Sequence, residues 1–259
     1  SKSIAESYPE IIKKGFSIVT ANKIANTLDY NYYLQIRALA NENKSKFLYE
    51  TNVGAGLPII STLQGLIFSG DKILEIEGVL SGTLSYLFNN FSAKTPFSKL
   101  VKGAKEKGFT EPDPRDDLSG TDVGRKLLIL CREVGERMEI DDIKIQSLLP
   151  EKSDSISSID EFYRHLSKID AKMKRLILNA KKRNEKLRYI AKYKDGKGIV
   201  SLQSVKKDHP FFALKGTENI ISIKTSRYYK QPLVIKGPGA GASVTASGVL
   251  NDIQNCIKI

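Results

Sequence analysis

Helical and strand patterns alternate along most of this 259-residue chain and then cease to alternate, and that change constrains the fold more than any other feature. Ile4–Lys14 reads as one amphipathic helix ended by Gly15, Phe16–Thr20 as a short buried strand, Tyr30–Asn43 as a second helix and Lys46–Glu50 as another strand. Pro58 opens a helix through Phe68, a place where its missing N–H costs nothing. Lys72–Leu80 alternates as a strand with one buried face, and the loop Ser81–Thr83 feeds a helix over Leu84–Phe91. Further helices fall at Pro96–Gly108 and Gly120–Val134, on either side of the polar, proline-bearing loop Thr110–Ser119, and a long one spans Ile159–Arg183. Then strands follow one another: Leu187–Tyr193 and Gly198–Val205, joined through the hairpin signal Asp195-Gly196, and after them Ile220–Thr225 and Leu233–Ile235. A glycine-rich turn, Gly237–Gly241, leads into a last helix through Asn255. Alternation followed by a run of strands predicts an α/β fold with an α+β insertion.

With 41% apolar residues the chain can bury a sizeable core, and no apolar run approaches the ~18 residues that a membrane span needs. It reads as cytosolic, with Cys131 and Cys256 as buried thiols in helical patterns. The net charge of +12 raises the question of nucleic acid. Much of the excess lies in Lys172–Lys194, where Met173, Leu176, Ile177 and Ala180 fall on one helical face, so a solvated basic face is the preferred reading there.

The densest chemistry lies in Glu111–Lys126 (EPDPRDDLSGTDVGRK). Two prolines stiffen a loop crowded with carboxylates, and the following helix, with Ser119 as a candidate cap, places Asp122 and Lys126 one turn apart on one face. Carboxylates packed so closely repel one another, so they either face water or gather a cation such as an amino group. The alternative is a surface loop followed by an ordinary ion pair. In Tyr49–Leu57 two glycines permit backbone shapes that turn carbonyls inward, and with Glu50 these would suit a hard cation; a tight turn is the plainer reading. Gly237–Gly241 looks phosphate-like but lacks the third glycine of a dinucleotide fingerprint and a later acidic residue, and a packing turn fits it equally. Lys23 follows a strand end, where open α/β sheets place ligands. His165 and His209 lack triad or metal partners in the sequence.

Taken together, Val19–Lys23 (VTANK), Glu50–Pro58 (ETNVGAGLP), Leu80–Tyr86 (LSGTLSY), Gly108–Lys126 (GFTEPDPRDDLSGTDVGRK) and Gly237–Asp252 (GPGAGASVTASGVLND) resemble the homoserine dehydrogenase family, in the family's order and across the whole chain. The similarity is closest to the dehydrogenase part of bifunctional aspartokinase–homoserine dehydrogenases. It implies a partial Rossmann-type nucleotide-binding lobe beside an α+β substrate and dimerisation domain with a mixed sheet. It also implies reversible, NAD(P)H-dependent reduction of L-aspartate 4-semialdehyde to L-homoserine, on the route to threonine and methionine. By matching motifs, Lys126 is the proton donor, Glu111 and Asp122 hold the substrate amino group, and Asp117 orients this network. Lys23 stands beside the nicotinamide and the reacting group, where a second ammonium would lower the pKa of Lys126. Gly108 and Gly241 match positions where backbone approaches the cofactor. Glu50, with the carbonyls of Val53, Ala55 and Leu57, matches a monovalent-cation site for sodium or potassium.

Two departures stand out: Gly124 replaces a common alanine, and the family's first strand, glycine-rich phosphate turn and ribose-binding stretch have no counterpart. The resemblance thus implies a chain truncated at its N-terminus, with an aspartokinase domain upstream in the native protein. The implied parts are a partial nucleotide-binding domain (1–46 and 237–259), a dimerisation region (47–61 and 187–236) and a substrate domain (62–186), assembled as a homodimer or higher homo-oligomer. Two other readings stand beside this one: a non-catalytic dimerising fragment of the same enzyme, and a basic nucleic-acid-binding protein.

Overall fold

Two sheets organise the chain, whose computed structural model is described over residues 1–257; the last two residues of the 237–259 segment lie outside that range. The chain starts with α1 (Lys2–Glu6) and α2 (Tyr8–Lys13), in place of the single helix expected over Ile4–Lys14. Pro9 explains the break: it has no N–H to offer the Ala5 carbonyl, which accepts from the Tyr32 hydroxyl instead. β1 (Ile18–Val19), α3 (Ile24–Thr27), α4 (Tyr30–Glu42) and β2 (Phe47–Leu48) follow, and β1 pairs with β2 in parallel through this helical crossover. Both strands are shorter than the runs Phe16–Thr20 and Lys46–Glu50 suggested; β2 ends early as the chain turns into a 3-10 segment, Glu50–Asn52.

After α5 (Ile60–Phe68), six strands form one mixed sheet. They are β3 (Ile73–Val79), β4 (Lys144–Ile145), β5 (Lys186–Lys194), β6 (Lys197–Val205), β7 (Glu218–Thr225) and β8 (Leu233–Pro238), in the order β4-β6-β5-β3-β7-β8. Only the β4–β6 pair is parallel. At the β5–β6 hairpin, Asp195 and Gly196 both take positive φ, 49° and 70°, as a tight hairpin turn demands. Alternate residues of β5 point to opposite faces: Leu187, Tyr189, Ala191 and Tyr193 enter the main core, and Ile190 joins Val79, Val205, Phe211, Leu214 and Ile220 in a second cluster.

The helices between the strands are α6 (Gly82–Asn90), α7 (Phe97–Glu106), α8 (Pro114–Ser119), α9 (Thr121–Glu133), α10 (Ile159–Leu166) and α11 (Asp170–Lys182); α12 (Ala242–Ile257) closes the chain and packs beside β1. The proline-bearing loop thus contains a helix that periodicity alone does not reveal. Asp113 caps α8 by accepting the Arg115 N–H at 2.9 Å, and Pro114 fits the first turn. The long helix expected over Ile159–Arg183 is interrupted by a 3-10 turn, Ser167–Ile169, where Asp170 is drawn to the start of α7 by the Ser98 N–H (2.8 Å) and hydroxyl (2.7 Å). On α11 Met173 and Ala180 are buried and Leu176 and Ile177 half-buried, so the basic segment does have an apolar inner face. Cys131 is buried, but Cys256, in the last turn of α12, is only half-buried.

Helix α9 is the central strut. Leu127 through Cys131 are all buried, so the helix is enclosed on every side. Its last turn holds the N-terminal lobe. The buried Arg132 donates to the carbonyls of Asn26 (3.0 Å), Leu28 (2.7 Å) and Met138 (2.9 Å) and pairs with Glu139 at 2.7 Å. Glu133 takes the Arg37 guanidinium at 3.1 Å and the Tyr49 hydroxyl at 2.5 Å. The carbonyls of a half-buried loop and the parallel sheet are thereby locked to the helix that carries Asp122 and Lys126.

Candidate active site

The turn into α9 sets the geometry. Gly120 has φ 75°, and a Cβ there would collide with the Tyr189 hydroxyl, which is itself held by the Gln146 carbonyl at 2.6 Å. Only glycine satisfies both conditions. Ser119 is not the cap expected: it ends α8, and the N-cap of α9 is Gly120, with the Ser119 hydroxyl accepting the Thr121 N–H at 3.1 Å from one position further back. One turn on, the Lys126 ammonium lies 2.8 Å from Asp122 Oδ2 and donates to the Leu80 carbonyl, also at 2.8 Å. Lys23, just past the end of β1, brings its ammonium to 3.4 Å from Asp122 Oδ1. Asp122 therefore stands between two ammonium groups and offsets their repulsion, where the sequence reading had one ammonium acting directly on the other. Its side chain remains 49% exposed and open to a ligand, while that of Lys126 is 13% exposed.

Beside this cluster lies a cavity of about 200 Å³ walled by Ser81, Glu111, Asp116, Asp117, Asp122 and Val123. Asp117 Oδ2 accepts the Glu111 N–H at 2.8 Å, and the Thr83 hydroxyl also binds Asp117. Burial pushes the Asp117 carboxyl above its ordinary range, and the carboxylates of Glu111 and Asp122 add to the shift. Asp122 moves the other way: burial opposes its ionisation, but Lys126 and Lys23 together outweigh it and hold the carboxyl below the ordinary range. Neighbouring carboxyls pushed in opposite directions are characteristic of sites that bind or transfer charge. Such a cavity suits a small ligand bearing an ammonium group. Sequence reasoning missed Thr83, Ser81, Asp116 and the Leu80 carbonyl. Leu80, Ser81 and Thr83 lie within the motif Leu80–Tyr86 and Asp116 within the carboxylate-dense stretch Glu111–Lys126, but neither pattern singled them out; Ser81 accepts the Leu84 N–H at the start of α6.

Two models of one family match the chain: homoserine dehydrogenase over residues 58–254, and the homoserine dehydrogenase NAD-binding domain over residues 1–50. The chain belongs to the homoserine dehydrogenase family. Among relatives, bifunctional aspartokinase/homoserine dehydrogenase 2, chloroplastic, of Zea mays is 50% identical over 253 residues, 97% of this chain and 28% of the relative. The bifunctional aspartokinase/homoserine dehydrogenase of Haemophilus influenzae is 44% identical over 258 residues, 100% of this chain and 32% of its own length. The chain thus spans about a third or less of these curated relatives. A hyperthermophilic archaeal homoserine dehydrogenase in complex with NADPH superposes with a TM-score of 0.74 at 28% identity, covering 99% of this chain and 69% of that one. A Candida auris protein of unknown function superposes with a TM-score of 0.94 at 40% identity, covering 99% and 74%.

The other positions that resemble homoserine dehydrogenase motifs do not line the acidic cavity. Gly108, with φ 73°, ends the turn after α7 and precedes Phe109, which stacks on Tyr86 at 4.1 Å between ring centroids. Gly241, with φ 119°, precedes α12. Gly237 and Pro238 belong to β8, antiparallel to β7, so the glycine-rich turn leaves an antiparallel edge strand rather than a parallel strand of a nucleotide-binding sheet. That favours the packing-turn reading: a Cβ at Gly239 would run into the Asn219 side chain.

In the glycine loop, Glu50 is buried and its carboxylate caps α5, accepting the Ile60 N–H at 2.7 Å and the Ser61 N–H at 3.0 Å. α5 begins at Ile60 rather than at Pro58 for this reason. The Leu57 carbonyl accepts the Ile59 N–H at 2.8 Å, while among the described residues no N–H donates to the carbonyls of Val53 or Ala55. Among the described residues there is no group of three or more His, Cys, Asp or Glu that could hold a metal ion. Glu50 and the loop carbonyls are nonetheless oxygen donors of the kind a hard cation takes. His209 packs on Phe211 and lies 3.4 Å from Glu77, and His165 is bonded to the Glu151 carbonyl at 2.7 Å, both away from the cavity.

Proposed function

We propose that this chain carries the substrate-handling and proton-donating part of a homoserine dehydrogenase, which reversibly reduces L-aspartate 4-semialdehyde to L-homoserine. The observation that carries the reading is Asp122, set between Lys126 and Lys23 at the edge of the acidic cavity. Glu111 and Asp122 bind the substrate ammonium, replacing its water with charge-assisted hydrogen bonds. Asp117, held by Thr83 and by the Glu111 N–H, fixes Glu111 in place. Lys126, anchored on the Leu80 carbonyl, gives its proton to the aldehyde oxygen and regains it from the alcohol in the reverse direction.

NAD(P)H, when bound, supplies the hydride to the aldehyde carbon. The residues at the nicotinamide end fit such a cofactor: Lys23 lies at the carboxyl edge of the parallel sheet, where open α/β sheets bind ligands. Gly108 and Gly241 would let backbone approach it. Sodium or potassium at Glu50, Val53, Ala55 and Leu57 would have a structural role, tying the glycine loop to α5.

The proposed parts are a nucleotide-binding domain from 1–46 and 237–259, a dimerisation region from 47–61 and 187–236, and a substrate domain from 62–186, in a protein with an aspartokinase domain upstream. Exposed Ile199 and Val234 on the large sheet support dimerisation, which sedimentation equilibrium would measure.

The test is Lys126→Met, which keeps the apolar stem. NADPH oxidation with aspartate semialdehyde should fall by about 10²–10⁴-fold, while homoserine binding by calorimetry persists. Unchanged turnover removes Lys126 from the proton-donor role, and homoserine failing to bind the unaltered protein overturns the site.

A further inference from the structure

A second cavity, at the opposite end of α6 from Ser81, has no part in the site above. It encloses about 420 Å³ between α6, α11 and the start of β5, within the ~300–1,000 Å³ usual for small-molecule sites. Phe88, Phe91, Ile177 and Phe212 give it apolar walls, and Lys94, Lys181, Lys186 and Arg188 add four cations. The one acid among its lining residues, Glu185, is already bound to Arg183 at 2.8 Å and to the Ser204 hydroxyl at 2.6 Å.

Arg188 is the unusual member. It is 1% exposed, and its guanidinium donates to the carbonyls of Phe211 (2.9 Å), Leu187 (3.0 Å), Phe212 (3.2 Å) and Leu214 (3.2 Å). Among the described residues no carboxylate pairs with it. Four carbonyl dipoles take four of its five N–H groups but do not balance its charge, and a buried charge without a counter-charge is costly. The strain shows in the acidity of the cations: burial brings Arg188 down to about 10, and burial, then Arg188 and Lys215, lower Lys186.

We propose that this cavity binds a small carboxylate with an apolar body, its carboxylate toward Arg188 and Lys186 and its hydrocarbon or aromatic part against Phe88, Phe91 and Ile177. A neutral apolar molecule would leave the cations unpaired. Inorganic phosphate carries no apolar group to cover Phe88, Phe91 and Ile177, so it forgoes the hydrophobic contribution and binds too weakly to compete.

The experiment is calorimetric titration of the protein with 4-phenylbutyrate, 4-phenylbutanol and inorganic phosphate. The expected result is saturable binding of one 4-phenylbutyrate per chain, at least about tenfold tighter than the alcohol, with no competition from phosphate. Lys181 and Lys186 are both exposed, so the double variant K181E/K186E should fold, as circular dichroism would verify, and should weaken carboxylate binding about tenfold or more. Asp122→Asn should leave that affinity unchanged, which separates this site from the acidic cavity. Equal affinity for acid and alcohol, displacement by phosphate, no binding of 4-phenylbutyrate, or full affinity in K181E/K186E would each overturn the proposal.

Discussion

Replacing Glu50 with Gln separates two roles for one buried carboxylate. Its two oxygens accept the first two N–H groups of α5, at 2.7 and 3.0 Å. A Gln side chain has a single acceptor, so its amide nitrogen would be turned toward the second N–H. The loss includes one charge-assisted hydrogen bond, about 1.5–3 kcal/mol, and the attraction between an anion and a helix N-terminus, about 0.3–2 kcal/mol. The two overlap, so the expected cost is about 3 kcal/mol. With a urea m-value of about 2–3 kcal/mol/M for a chain of this size, the midpoint read by circular dichroism should fall by about 1 M. A cation bound at the loop would add RT ln(1 + [M]/Kd), about 2.7 kcal/mol at a hundredfold excess over Kd, to the unaltered protein alone. Unfolding in sodium or potassium chloride and again in tetramethylammonium chloride measures both contributions. A loss below about 1 kcal/mol in either medium refutes the capping argument. An equal loss in both media refutes the cation.

Gly120→Ala should destabilise the fold by more than about 2 kcal/mol, since a left-handed residue would gain a Cβ and that Cβ would displace Tyr189; denaturant unfolding reads it, and a loss under about 0.5 kcal/mol refutes the steric account. Gly124→Ala gains about 1 kcal/mol of helix propensity but drives its Cβ into Ile145 Cδ1, so alone it should be nearly neutral, whereas with Ile145→Val, which removes that atom, the gain should appear. Glu77 accepts a hydrogen bond from His209, the strongest influence on it; burial opposes, Lys192 at 2.7 Å assists, and the carboxyl is pulled from 4.5 to about 2. Its folded value lies below its unfolded one, so its contribution, up to about 3 kcal/mol, is complete above pH 4.5 and vanishes as the pH falls to about 2. Glu77→Gln should flatten the stability curve over that interval, and an unchanged acid limb would dismiss the pair.

What was legible in the chain was whatever short-range geometry determines. The β5–β6 hairpin followed from Asp195-Gly196 because the turn needs positive φ at both positions and nothing distant. The Asp122–Lys126 pair followed from helical spacing, since one turn of α9 brings the two side chains together in any fold that keeps the helix. The motif order likewise led to the family. Several local expectations failed where a distant partner intervened. The break at Pro9 is completed by Tyr32, the kink at Asp170 by Ser98, and the start of α5 by Glu50.

The site was closed by tertiary structure alone. Lys23 reaches Asp122 from the end of β1, Leu80 supplies the carbonyl that holds Lys126, and Thr83 steadies Asp117, three contacts between elements far apart in sequence. No periodicity encodes such distances, because each depends on how α9 lies against the sheet and on the Arg132 and Glu133 contacts that bind the N-terminal lobe to it. The sequence by itself determined which groups were available and which neighbours share a helix face. Packing decided which charges meet, because a carboxylate and an ammonium from separate elements come within hydrogen-bond reach only after the core between those elements has formed.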